Sequence, residues 1–186
     1  MYQLLLRITN LIDVEMSFAI DNKTLKFGLK EYAVVTGLNC APIQTLTYTQ
    51  MAGEIKFKKK IFGDFDDIDI NTIAYVCENI EDFINEELLK LVNLYFLEEV
   101  ILPKEKRQPI DLNHINLLTN EEFNQYSWGR VVFQNTVKAL KSIGKGVTAG
   151  YHLADFPFAL LAYTYETIPQ LSEFKLVSRA TANFLQ

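Results

Sequence analysis

A chain of 186 residues, 49% hydrophobic and 12% aromatic, is long enough for one domain with its own core. It carries only two cysteines, Cys40 and Cys77, which excludes a disulfide scaffold and points to a reducing compartment. A net charge of −5 excludes a surface that attracts phosphate backbones over its whole extent. The longest strongly apolar stretch, 156–165, contains Pro157 and falls far short of the ~20 residues that span a bilayer. No basic segment and no small-residue cleavage site accompany Leu4, Leu5 and Leu6, so a signal peptide is not expected. A soluble, intracellular protein is the expectation.

Taken in chain order, residues 2–12 read as a short helix. The runs 16–20 and 24–27 flank Asp21, Asn22 and Lys23, which predicts a β-hairpin. A helix over 29–36 follows, with Gly37 just past its end, where only glycine reaches positive φ cheaply. Residues 39–63 look irregular, with Pro42 and Gly53 as breakers. The next helix is predicted over 71–79. Another, over 81–102, has apolar side chains from Leu88 to Leu97 round most of its circumference and stops at Pro103. A helix with so little solvated face is expected at the centre of the core.

The charged connector 104–109 comes next. Phe133, Val137 and Leu140 fall at i, i+4 and i+7, which predicts an amphipathic helix over 128–143. Gly144, Gly146 and Gly150 make a flexible link. Asp155 is placed to cap a last helix, with Pro157 in its first turn and Pro169 ending it. The fold class is mostly α, formally α+β: a single helical domain over 1–186 with a small N-terminal β-hairpin.

Catalytic and metal patterns are weak throughout. Cys40, Cys77, His114 and His152 are 37, 37 and 38 residues apart. Zinc ligands ordinarily come in closely spaced pairs, so two buried thiols and two loop imidazoles are the simpler expectation. A Cys–His hydrolase needs a thiolate activated by a nearby imidazole. Cys40 follows a helix C-terminus, whose dipole disfavours a thiolate, and Cys77 sits mid-helix among apolar residues. The stretch Asp67–Thr72, with Glu78 at the twelfth position, approaches a calcium loop but has Thr72 where that loop needs glycine. An acidic helix N-terminus, favoured by the helix dipole, is the simpler expectation. No metal, cofactor or catalytic residue is expected.

Lys56, Lys58, Lys59 and Lys60 form the basic run of the chain and are the candidate nucleic-acid contact. Asp64, Asp66, Asp67 and Asp69 follow at once and partly cancel its field, so a solvated loop is the default. Trp128 stands beside Arg130, and Glu166 lies in an apolar helical segment where a carboxylate needs a partner. Arg130 or the Trp128 indole N–H is expected to satisfy Glu166 and so tie two helices together.

The segments Tyr2–Arg7, Leu25–Cys40, Leu94–Glu98, Phe123–Arg130, Phe156–Leu160 and Tyr165–Pro169 together resemble the plant family catalogued as domain of unknown function 1985. Ser127, Asp155 and Tyr163 depart from its pattern, which favours Pro, Gly and Trp there. That pattern starts upstream of Leu4, so the resemblance implies a domain lacking its N-terminal segment. It also implies a nuclear, transposon-related context beside a SUMO-type cysteine protease, whose own catalytic motifs are absent. The expected function is therefore a non-catalytic interaction or targeting module with an unknown protein partner and no membrane. A nucleic-acid-binding module is the alternative.

Overall fold

A computed structural model describes residues 8–20, 23–43, 51–63, 65, 67–79, 85–103, 107–119, 122–143 and 158–168. Three antiparallel strands come first: β1 (Ile8–Ile12), β2 (Glu15–Ile20) and β3 (Lys23–Gly28), in the order β1-β2-β3. Met16 pairs with Phe27 and Phe18 with Leu25, so these side chains share the face turned to the core. The expected hairpin is therefore β2–β3. The helix expected over 2–12 is overturned where residues 8–12 form β1; residues 2–7 lie outside the described ones. Ile8, Leu11 and Ile12 have helical spacing, but β2 supplies backbone partners that register Leu11 on Met16 and Ile12 on Glu15.

Helix α1 (Leu29–Thr36) starts directly from β3, with the Leu29 N–H donating to the Val14 carbonyl at 3.1 Å. It ends at Gly37, whose N–H still donates to the Ala33 carbonyl and whose φ of 70° turns the chain out of the helix. Helix α2 (Met51–Phe62) overturns the irregular reading over 51–62, whereas 39–43 are irregular as read and 44–50 lie outside the described residues. Gly53 costs a helix about 1 kcal/mol relative to alanine, and burial of Phe57, Ile61 and Phe62 outweighs that. Helix α3 (Ile70–Glu78) matches its predicted span and is capped by Asp69, which accepts from the Thr72 N–H at 2.8 Å.

Helix α4 (Asn85–Phe96) continues into a π-helical turn (Leu97–Ile101) that ends before Pro103. Helix α5 (Leu112–Thr119) has no counterpart in the sequence reading, and it makes His114 a helical residue rather than a loop imidazole. Helix α6 (Trp128–Ile143) agrees with prediction, and α7 (Phe158–Thr167) forms the last described helix. The glycine link 144–150, Asp155, Pro157 and Pro169 lie outside the described residues.

Two apolar clusters result. The first joins the sheet face to α1, α6 and α7 around Phe18, Phe27, Tyr32 and Phe133. The second gathers α2, α3 and α5 around Phe62, Ile73 and Ile115. Helix α4 and its π-turn pass from one to the other: Leu91 and Leu94 belong to the second cluster, Leu97 and Ile101 to the first. The extra residue in a π-turn rotates the chain against its α-helical phase, which suits a segment changing cores.

The expectation that 88–97 lies centrally buried is corrected here. Leu91, Leu94 and Leu97 are buried, but Leu89, Val92 and Phe96 are 60%, 47% and 52% exposed. Among the described residues, only one of the helix's two apolar faces is covered.

Candidate functional site

The segment after α1 and the start of α6 close on each other. Asn39 fixes the approach: its Nδ2 donates to the Gln125 carbonyl, its Oδ1 accepts from the Ala41 N–H, and its own carbonyl accepts from the Gly129 N–H. Arg130 Nε donates to the carbonyls of Cys40 and Ala41 at 3.1 and 2.7 Å, and Ser127 Oγ donates to the Pro42 carbonyl. Gly129 is required by proximity. A Cβ there would sit 2.5 Å from Cys40 Sγ and 3.0 Å from both the Asn39 oxygen and Leu38 Cβ. Residues 38–42 and 125–130 therefore form one clasp, held largely by side chains capping backbone carbonyls.

Trp128 is buried at the hinge of that clasp. Its indole N–H donates to the Phe123 carbonyl at 2.8 Å, and the rings of His114, Phe123 and Tyr126 pack against it at centroid distances of 5.2, 5.3 and 4.6 Å. Burial, helped by Asp111, pushes the Tyr126 phenol above its ordinary pKa. The expected tie to Glu166 is overturned. Glu166 is exposed on α7, and the Trp128 indole N–H and Arg130 Nε are spent on backbone carbonyls. Thr164 faces inward instead and donates to the Leu160 carbonyl, which turns Glu166, two residues on, towards water.

Behind Trp128 lies a polar pair absent from the sequence reading. Glu98, in the π-turn, is 3% exposed, and its Oε1 meets His114 Nδ1 from α5. The pair joins the π-turn to α5, which puts Leu117 in the first cluster and Ile115 and Leu118 in the second. A carboxylate within the apolar run Leu94–Ile101 satisfies the criterion that singles out Glu166, and is the signal by which Glu98 could have been found. Its partner lay on an unpredicted helix.

The other candidates resolve individually. Lys56 and Lys59 are exposed on α2, a helix and not a loop, whereas Lys60 is held by Glu87. Asp69 of the calcium-like stretch accepts from both the Thr72 N–H and hydroxyl, so it serves the helix cap; those bonds, the backbone one foremost, hold its carboxyl below the ordinary range. Burial raises the Cys40 thiol, with Arg130 opposing in part, and raises Cys77 with help from Glu78. His152 lies outside the described residues. Among the described residues no three His, Cys, Asp or Glu side chains converge as metal ligands would, and no helix is long and apolar enough to cross a membrane.

Among the described residues, an extended apolar feature lies on the surface. Leu89, Val92, Phe96 and Val100 are all exposed and follow one another at intervals of three and four residues along α4 and the π-turn. These features together define a mostly helical two-cluster domain, closed by a carbonyl-capping clasp and bearing an apolar stripe. A family model described as a domain of unknown function, DUF1985, matches residues 8–139, and the chain belongs to that family. The match spans both halves of the clasp, the Glu98–His114 pair and the stripe, but stops before α7. No curated protein and no solved structure matches the chain.

Proposed function

We propose that this domain is a non-catalytic protein-interaction or targeting module. The observation that supports this most is the stripe Leu89–Val92–Phe96–Val100, apolar surface left open on a helix whose opposite face is already in the core. The non-catalytic part is supported by the employment of the reactive groups: both thiols are shifted away from thiolate, and His114 is engaged by a buried carboxylate. The plant, mobile-element and nuclear setting, and a role accessory to a SUMO-type protease, are supported by the resemblance in the segments around Leu25–Cys40 and Phe123–Arg130.

The test is capture of proteins from plant nuclear extract by the full chain and by Val92→Asp, each with and without nuclease. Specific proteins retained after nuclease and lost with Val92→Asp are the expected result. Nucleic-acid binding is the second reading, favoured by Lys56 and Lys59 exposed one helical turn apart on α2. Capture abolished by nuclease and indifferent to Val92→Asp would replace the first reading with the second.

A further inference from the structure

We infer that the stripe on α4 and its π-turn receives an amphipathic partner helix with basic flanks, an inference that rests on the interaction reading above. The exposed residues of 85–101 are Asn85, Glu86, Leu89, Val92, Phe96, Glu99 and Val100. Four are apolar, both charged ones are acidic, and one acid stands near each end. Lys90, the basic residue of this segment, is half-buried and binds Glu86 at 2.6 Å. The stripe therefore offers a partner apolar contact with Glu99 exposed at one end and Glu86, already paired with Lys90, at the other.

Position adds to this. Glu86 lies in the first turn of α4, where the helix dipole favours a carboxylate, so it needs no external reason. Glu99 lies in the last turn, where the dipole disfavours one, and a Lys or Arg from outside would offset that cost. The spacing of Leu89, Val92, Phe96 and Val100 is the one by which two helices interdigitate side by side. A second copy of the domain would bring its own net charge of −5 to the contact, so charge favours a basic partner over self-association.

The experiment uses two labelled synthetic helices with leucine at three- and four-residue spacing, one flanked by lysine and its twin by glutamate. Fluorescence anisotropy measures their binding to the full chain, to Phe96→Glu and to Val34→Glu, the last altering an exposed apolar residue on α1. The lysine peptide should bind the wild type at least about tenfold tighter than its twin, corresponding to ~1.4 kcal/mol. Phe96→Glu should weaken it about tenfold although it adds a negative charge, and Val34→Glu should leave it unchanged.

Unchanged or tighter binding by Phe96→Glu would mean bulk charge attraction and overturn the inference. Equal binding of the twins through Phe96 would overturn the basic flanks while leaving the interaction reading intact. A wild-type dimer that Phe96→Glu dissociates would assign the stripe to a second copy. Binding of neither peptide would also overturn it, and the extract experiment would then decide the broader reading separately.

Discussion

Helices α4 and α6 are both rich in apolar residues, yet the fold treats them in opposite ways. In α6 the apolar side chains occupy one face, and Val132, Phe133, Val137 and Leu140 are buried in the first cluster while its N-terminus is locked into the clasp. In α4 they run round the helix, and the domain buries Leu91 and Leu94 but leaves Leu89, Val92 and Phe96 open. A narrow stripe at helical spacing is thus consumed by folding. A helix apolar on two faces has one to spare, and the proposed interaction rests on that surplus.

The comparison breaks most directly at two phenylalanines. Phe133 is fully buried and packs on the rings of Phe27 and Tyr32, so Phe133→Ala should cost about 3–5 kcal/mol in urea unfolding. Phe96→Ala, on the open face, should cost about 1 kcal/mol. Equal costs would show α4 to be buried in solution. At the seam between clusters, Glu98→Leu leaves His114 Nδ1 without its carboxylate and should cost about 1–3 kcal/mol. Adding His114→Phe should cost less than the two single changes summed; a double-mutant cycle measures this, and strict additivity would deny the pair its coupling.

Within the clasp, Gly129→Ala should cost about 1–3 kcal/mol despite alanine's better helix propensity, because the added methyl meets Cys40 Sγ. The same change in a Cys40→Ala background should cost less; an undiminished penalty would place the strain elsewhere. The smallest effect concerns the α3 cap. Thr72 holds the Asp69 carboxyl below its unfolded pKa of about 3.9, so the charge adds stability above that value and loses it as pH falls through the lower, folded one. Asp69→Asn keeps the capping geometry without titrating. Wild type should be the more stable at pH 7 by less than about 1 kcal/mol, and the gap should close once pH falls below the folded pKa. A gap independent of pH would assign it to something other than the carboxylate.

Sequence by itself determined the features that local chemistry fixes. The period of α6, the αL glycine ending α1, the β2–β3 hairpin and the family membership of the chain all follow from residues close together in sequence. It also marked both halves of the clasp as distinctive segments, without showing that Asn39 and Gly129 meet. Tertiary structure decided the rest, because each remaining question turned on a partner far along the chain. Pairing with β2 made a strand of residues 8–12, burial of Phe57 and Ile61 overrode Gly53, and α5 brought His114 to Glu98. Arg130 turned to carbonyls ninety and eighty-nine residues away rather than to Glu166. Whether an apolar face is core or surface depends on how much of the rest of the domain reaches it, and periodicity reports only that the face exists.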